Sequence, residues 1–251
     1  MIKILGEVPY YTFSLLSPYP NLRHAVFTRQ GPGGADWTFS FNGPQSDDDV
    51  LKNIKTASGI LGTSEASFVG QVHGTEVLLL EPTRRYHPQG PQDVLKGYDA
   101  IIGRCGQTLM IRLADCQGII LFEPKSRTLA LAHSGWRGSV QNIIGKTIGT
   151  MESELGLKGE NILACVTPSL GFCCAEFKNY SSEIPKELHR FRNPANDHFD
   201  FIAVTRRQLL DCGIREENIE FSGICTRCDP QFYSYRRKDA GRFALMAGII
   251  Q

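Results

Sequence analysis

Residues 100–138 read AIIGRCGQTLMIRLADCQGIILFEPKSRTLALAHSGWRG, and this segment is the most informative about the fold class. It contains four short apolar segments, at 100–103, 109–113, 118–122 and 128–133, each bounded by glycine or by polar turn residues. Apolar runs of this length between turn signals are typical of buried strands. The sequence therefore predicts four successive strands with no helix between them.

The flanking segments add helices and further strands. Residues 47–61 begin with three aspartates and then place apolar side chains among polar ones, which predicts a helix. Residues 139–155 carry apolar side chains at i, i+3/i+4 spacing and form the clearest predicted helix. Residues 232–236 and 244–250 predict a closing hairpin. Strands outnumber helices without strict alternation, which favours an α+β fold of layered mixed sheets over a doubly wound parallel sheet.

The composition excludes several classes of protein. The chain has 251 residues, of which 41% are hydrophobic and 21% are charged, so it is neither disordered nor too short for a large core. Lys and Arg total 27 against 26 Asp and Glu, and this even balance argues against a nucleic-acid-coating protein or a polybasic membrane binder. No break in composition divides the chain, so we expect a single domain spanning residues 1–251.

The expected location is the cytoplasm. The first 20 residues lack the charged, apolar and small-residue pattern of a signal peptide, and no apolar run approaches the roughly 20 residues of a membrane helix. In a reducing compartment the eight cysteines are expected to be thiols or metal ligands rather than disulfides.

Three potential metal ligands follow apolar strands. They are His73 in QVHG, Cys116 in ADC and His133 in HSGWRG. Two imidazoles and a thiolate with one open position are a ligand set that catalytic zinc uses. The spacing of 43 and then 17 residues is not a compact metal signature, so a Cys–His nucleophile pair and ordinary core packing stay open as alternatives.

Other polar residues are candidates for catalysis or substrate binding. Arg137, between two glycines at a helix start, would seat a phosphate or carboxylate, or is simply an exposed arginine in a turn. Asp115 and Glu176 are candidate acids or bases, or respectively a turn cap and a surface charge. The candidate substrate-binding residues are Arg29, Gln71 and Ser134.

Four other cysteines carry weaker signals of a metal site. Cys173 and Cys174 are adjacent, and adjacent cysteines rarely form a disulfide without strain, so we expect buried thiols or a lining of the site. Cys225 and Cys228 have C-x-x-C spacing, but no second such pair exists, which argues against a zinc knuckle.

Five motifs in order resemble one known family. They are QVHG at 71–74, ADC at 114–116, HSGWRG at 133–138, PSLGFCCAEF at 168–177 and FYSYRR…GR at 232–242. The chain resembles the proteins once called multicopper polyphenol oxidases or laccase-domain proteins, whose members are now described as zinc-dependent purine nucleoside phosphorylases with adenosine deaminase and methylthioadenosine phosphorylase activities.

The resemblance implies several properties. It implies a layered α/β/β/α sandwich, shared in outline with a bacterial toxin deamidase that uses a Cys–His pair. It also implies that His73, Cys116 and His133 hold Zn²⁺, and that the partners are purine nucleosides and phosphate, with no nucleic acid and no membrane. We further expect a monomer. The chain departs from the family pattern at Leu113, Ser134, Thr167, Phe172 and residues 41–43, which puts the substrate preference in doubt.

Two rival functions stay open at this stage. One Cys and two His also resemble a mononuclear copper set, so Cu²⁺ is the alternative metal and a phenol oxidase the alternative enzyme. Six histidines are too few for the His-rich clusters that reduce oxygen. The other rival is a metal-free cysteine hydrolase with Cys116 as nucleophile, or a binding protein without turnover.

Overall fold

The computed structural model describes residues 2–5, 8–63, 65–82 and 86–250, and two six-stranded sheets organise them. The strands are β1 Ile2–Leu5, β2 Val8–Tyr11, β3 Leu22–Phe27, β4 Ala66–Phe68, β5 Val77–Leu79, β6 Ala100–Arg104, β7 Thr108–Leu113, β8 Gln117–Glu123, β9 Thr128–Ser134, β10 Leu163–Val166, β11 Arg192–Asn193, β12 His198–Phe199, β13 Ile219–Phe221 and β14 Phe243–Ile249. The α-helices are α1 Asp47–Leu61, α2 Trp136–Val140, α3 Ile143–Leu155, α4 Tyr180–Glu183 and α5 Phe201–Asp211.

Both large sheets are mixed. The first has the strand order β1-β2-β3-β14-β7-β4 and the second the order β13-β10-β8-β9-β6-β5, while β11 and β12 form a small separate ribbon. Most neighbours are antiparallel, and three pairs, β4 with β7, β5 with β6 and β10 with β13, are parallel. The predicted α+β class with layered mixed sheets is confirmed, and so are the four strands in residues 100–138.

Strand periodicity explains why both faces of the sheets are buried. In β8, Ile120 and Phe122 point into the core between the two sheets, whereas Ile119 and Leu121 point into the opposite core. Successive side chains of a strand alternate between faces, so a continuous apolar run has to be covered on both sides.

Helices cover the two outer faces. Helix α1 packs the apolar stripe that includes Val50 and Ile54 against the first sheet. Helix α3 packs Ile144, Ile148 and Met151 against the second sheet, where α5 joins it. The layers therefore run helix, sheet, sheet, helix, as the family resemblance implied. None of the described helices has the length and apolar character needed to cross a bilayer.

Two sequence predictions of secondary structure are wrong. The predicted helix at 139–155 is two helices, because Asn142 adopts a left-handed φ of 60° and caps α3 with its side chain. Residues 232–236 form a bend and the start of a turn rather than a strand, and β14 pairs with β3 and β7 instead of closing a hairpin. Local alternation could not reveal β14's distant partners.

The chain crosses between the two sheets at the place where the predicted ligands lie. Residues 114–116 join β7 of the first sheet to β8 of the second. Residues 69–76 lead from β4 in the first sheet to β5 in the second. His133, near the end of β9, lies opposite Gly118 at the start of β8. The topology thus brings three segments that are distant in sequence to one site.

Candidate metal centre and pocket

The three predicted ligands converge. One donor atom from each of His73, Cys116 and His133 lies within 4.8 Å of the other two. The Cys116 Sγ atom is 3.8 Å from His73 Nε2, and the two imidazole rings meet edge to face at 4.8 Å. Zn–S and Zn–N bonds of about 2.3 and 2.0–2.1 Å correspond to an N···S edge of about 3.6 Å in a tetrahedral site. The two imidazoles and the thiol, and the distances between their donor atoms, therefore fit a zinc ion.

Asp99, which the sequence analysis missed, holds two of the ligands in place. Its carboxylate is fully buried. Oδ1 lies 2.7 Å from His133 Nδ1 and accepts the backbone N–H of His73, and Oδ2 accepts those of Val72 and Gly74. A carboxylate on Nδ1 leaves Nε2 free for a metal and orients the ring. The only signal in the sequence was an acidic residue directly before an apolar strand.

Electrostatics favour the thiolate form of Cys116 beside a protonated His133, so a metal that binds both residues would displace the His133 proton. Burial alone would raise the pKa of the Cys116 thiol, but the imidazoles of His133 and His73 outweigh it and lower this pKa to about 6. Burial would lower the pKa of His133, but the charges of Cys116 and Asp99 raise it to about 9. For Asp99, the hydrogen bonds from His133 and from the backbone outweigh burial, and its pKa falls below the usual value. Thiolate is the form of cysteine that binds metals.

The backbone around the centre is strained and closely packed. His73 and Asp115 both have left-handed φ angles, 62° and 78°, which are uncommon for residues with side chains and cluster at functional sites. Gly135 leaves space for the ligands: a Cβ there would lie 2.7 Å from His73 Cδ2 and 3.0 Å from Cys116 Sγ. Residue 135 must therefore lack a side chain for the ligands to meet.

A pocket of about 600 Å³ opens over the three ligands. Four arginines line it: Arg112, Arg137, Arg236 and Arg242. Within residues 2–5, 8–63, 65–82 and 86–250, none of the four forms an ion pair with a carboxylate. Burial, and next the nearby Arg242 charge, lower the pKa of Arg112 to about 10. Two guanidinium groups that repel each other beside a pocket create a site for an anion.

Part of the lining is apolar and aromatic. Leu170, Trp136, Phe177, Phe201 and Tyr235 contribute to it. Arg137 lies over the Trp136 ring, with its guanidinium carbon 4.3 Å from the ring centroid. Flat aromatic surfaces next to cationic groups suit a ligand that has both a planar ring and a negative charge.

The other predicted site residues fall into two groups. Gln71, Asp115, Ser134 and Arg137 line the pocket, whereas Arg29 and Glu176 do not. Arg29 pairs with Asp36 and Asp239 and stacks on Tyr233, and the Glu176 side chain faces Lys178 at the surface.

The four pocket residues are held by specific contacts. The Gln71 side-chain amide donates to the Arg112 carbonyl and accepts the Arg112 backbone N–H, both at 2.9 Å. The Ser134 hydroxyl lies 2.9 Å from that of Ser139. Both carboxylate oxygens of Asp115 already accept hydrogen bonds, one from the Thr226 hydroxyl and one from the Arg236 backbone N–H. The Asp115 carboxylate thus anchors the segment that carries Arg236.

Arg112 was also missed from the sequence, although a signal existed. It is the only charged residue in the apolar run 109–113, and a charge in a buried strand needs a reason. Its Nη2 donates to the Val69 carbonyl, so the guanidinium is fixed at the start of the segment 69–76, which carries His73.

Comparison with known proteins agrees with the fold and the motifs. A family model described as multi-copper polyphenol oxidoreductase laccase matches residues 23–250. A purine nucleoside phosphorylase of Bacteroides thetaiotaomicron is 31% identical over 100% of this chain and 99% of its own length. A purine nucleoside phosphorylase of Deinococcus radiodurans is 29% identical, with coverages of 92% and 90%. The crystal structure of the hypothetical protein YfiH from Bacillus licheniformis superposes with a TM-score of 0.87 at 20% identity, covering 99% of this chain and 98% of that one.

Proposed function

This chain belongs to the multi-copper polyphenol oxidoreductase laccase family, and on that premise we propose that it is a purine nucleoside phosphorylase with a mononuclear zinc site formed by His73, Cys116 and His133. The observation that carries the proposal is the convergence of these ligands beside a pocket lined by arginines without carboxylate partners among the described residues. We also propose that it deaminates adenosine and cleaves methylthioadenosine, as a monomer in the cytoplasm.

The arginines supply the phosphate site in this proposal. Phosphorolysis requires a phosphate oxygen to attack C1′ of the ribose while the bond from C1′ to the purine nitrogen breaks and its electrons leave with the base. Arg112 and Arg242 would bind the phosphate dianion, which offsets their mutual repulsion and orients the attacking oxygen. Asn42 and Ser40 lie in the same lining and can donate further hydrogen bonds.

The aromatic lining supplies the nucleoside site. Trp136, Phe177 and Tyr235 present ring faces against which a purine can stack, and Arg137 is held over one of them. Leu170 and Phe201 suit an apolar 5′-methylthio group. A zinc ion held by His73, Cys116 and His133 would keep one coordination position open, where it would act as a Lewis acid on the reactant. In this scheme Asp115 positions the segment 226–236.

The ligand inventory favours this proposal over a multicopper oxidase. Among the described residues, the only other group of potential ligands is made of cysteines alone. His24 accepts the Phe13 N–H, and His189 and His198 contact backbone carbonyls. Oxygen reduction by several copper ions requires additional clusters of histidines.

A second function is supported by one arrangement. Cys116, His133 and Asp99 lie in the order nucleophile, base and orienting carboxylate, which a cysteine hydrolase would use. The two functions differ in their need for metal: the hydrolase would work after metal removal, and the phosphorylase would not.

The test is a nucleoside panel with defined metal content. Purified protein is incubated with adenosine, inosine, guanosine and methylthioadenosine, with and without phosphate, and the products are separated by chromatography. Free base and ribose 1-phosphate that form only with phosphate support phosphorolysis, and inosine formed from adenosine without phosphate supports deamination. Zinc, rather than copper, should be bound and should be required. Full activity of Cys116→Ala would overturn the site assignment.

A further inference from the structure

A second group of ligands lies outside the three-ligand centre. The sulfur atoms of Cys173, Cys174, Cys225 and Cys228 are all within 4.8 Å of one another. The first two belong to a 3-10 helix at Phe172–Cys174, and the other two lie in the turn after β13. The second cysteine pair that a zinc knuckle needs is therefore provided by the fold, 51 residues earlier in the chain.

The sulfur separations match the edges of a tetrahedral metal site. Cys173 and Cys174 are 3.7 Å apart, Cys173 and Cys228 are 3.8 Å apart, and Cys174 and Cys228 are 3.5 Å apart. A Zn–S bond of about 2.3 Å corresponds to an S···S edge of about 3.8 Å in a regular tetrahedron. All four cysteines are free thiols, whereas disulfide sulfurs would be about 2.05 Å apart.

The backbone supports a thiolate at Cys225 and the close approach of the two loops. The Gly171 N–H donates to Cys225 Sγ at 3.2 Å, a hydrogen bond that would stabilise a metal-bound sulfur. A Cβ on Gly171 would lie 2.9 Å from Cys225 Cβ and 3.3 Å from Cys173 Sγ, so glycine permits the two loops to approach. The N–H groups of Cys228 and Asp229 both donate to the Cys225 carbonyl, which fixes the turn between the ligands.

Two arginines lie in or beside the turn that carries Cys225 and Cys228, and one of them, Arg237, also pairs with Asp239. Four thiolates around a divalent ion leave a net charge of −2, which needs nearby cations. Arg227 lies between the two ligands of the turn. Arg237 donates through Nη1 to the carbonyls of Thr226 and Arg227, at 2.8 and 3.0 Å. Cys173 and Cys228 are exposed, so a metal ion has a route from solvent.

We propose that Cys173, Cys174, Cys225 and Cys228 bind one structural Zn²⁺ ion. Thiolate ligands select soft or borderline cations, and four protein ligands leave no open position for a reactant. The ion ties the segment 170–177 to the segment 225–236. Both segments contribute to the pocket, the first through Leu170, Ala175 and Phe177 and the second through Tyr235 and Arg236. The second ion thereby fixes the pocket wall.

The experiment begins with metal content. The zinc of wild-type protein and of three variants is measured by mass spectrometry of the elements. We expect two zinc ions per chain in wild type, one in Cys116→Ala, one in the double variant Cys225→Ser with Cys228→Ser, and two in the control Cys105→Ser, a free cysteine outside both groups. Equal zinc in wild type and in the double variant, or iron in place of the second zinc, would overturn the proposal.

A second measurement leaves the cluster intact in case the double variant fails to fold. Cys116→Ala protein is treated with an alkylating reagent, with and without a chelator, and the modified cysteines are identified by peptide mass spectrometry. We expect Cys173, Cys174, Cys225 and Cys228 to react only after chelation. Reaction at the same rate in both conditions, or a disulfide among the four, would contradict a bound metal. Neither the zinc measurement nor the alkylation requires turnover, and the alkylation uses protein that lacks Cys116 of the three-ligand centre. Both results are therefore independent of the phosphorylase proposal.

Discussion

Replacing Asp99 with asparagine tests how the ligands of the three-ligand centre are held. The carboxylate makes four hydrogen bonds, two on each oxygen. An amide keeps the shape but offers only one oxygen. If the amide nitrogen takes the Oδ2 side, it faces the N–H groups of Val72 and Gly74; if it flips, it faces the His73 N–H and the His133 Nδ1–H. Either orientation loses two of the four bonds.

The magnitude follows from this count. Each buried donor left without an acceptor costs about 1–3 kcal/mol. The three backbone N–H groups are only partly buried whereas His133 Nδ1–H is buried, so the loss of two bonds should lower the free energy of unfolding of Asp99→Asn by about 2–4 kcal/mol. Loss of a carboxylate that orients a metal-bound histidine lowers metal affinity about 10–100-fold. Zinc affinity should therefore fall by that factor.

Two assays measure the effects. Urea unfolding followed by circular dichroism gives the change in stability, and competition with a chromophoric chelator gives the change in zinc affinity. Glu217→Gln, an exposed acid-to-amide change, serves as the matched control and should leave both within error. If Asp99→Asn keeps wild-type zinc affinity and loses less than about 0.5 kcal/mol, Asp99 does not hold the ligands as described.

Three further predictions concern packing, charge and pH. Gly135→Ala should lower zinc affinity at least tenfold, because its Cβ would collide with two ligands, while circular dichroism shows that the fold persists. The control Gly149→Ala, which adds a Cβ in open space within α3, should bind zinc with wild-type affinity. Arg242→Gln should raise the KM for phosphate at least tenfold and change the KM for nucleoside much less, and an equal rise in both would contradict a phosphate site at Arg242. Burial, and next the Lys3 charge, lower the pKa of His24 from 6.5 to about 4, so between these values the unfolded chain binds a proton that the folded chain does not. The free energy of unfolding should then fall by up to about 3 kcal/mol as pH drops from 6.5 to 4. Urea unfolding over that pH range should show that His24→Gln lacks this part of the loss. The same pH dependence in both proteins would contradict the prediction.

Much of the fold could be predicted because its signals are local. The strands of residues 100–138 are apolar, short and separated by turns, and each forms where periodicity and turn chemistry indicate. The helix break at Asn142 and the distant partners of β14 could not be predicted, because they depend on a left-handed residue and on tertiary pairing. Propensity and periodicity carry no information about which strands meet.

The site residues also differ in how far local sequence signals reveal them. His73, Cys116 and His133 were recognised because they end apolar strands within distinctive motifs, and the fold brings them together. Asp99 was missed because its role depends on three backbone N–H groups of a loop 25 to 27 residues away.

The convergence of the four cysteines could not be predicted for a related reason. Cys225 and Cys228 looked unpaired in the sequence, since their counterparts Cys173 and Cys174 lack C-x-x-C spacing and approach only through tertiary structure. Spacing rules detect ligands on one turn and fail for ligands that two loops contribute.

The most direct test of the account is anomalous diffraction at the zinc edge from crystals of zinc-loaded protein. We expect a peak at about 2.0–2.1 Å from His73 Nε2 and from His133 Nε2, and at about 2.3 Å from Cys116 Sγ. Electron density that shows these three side chains turned apart, with no anomalous peak between them, would contradict it.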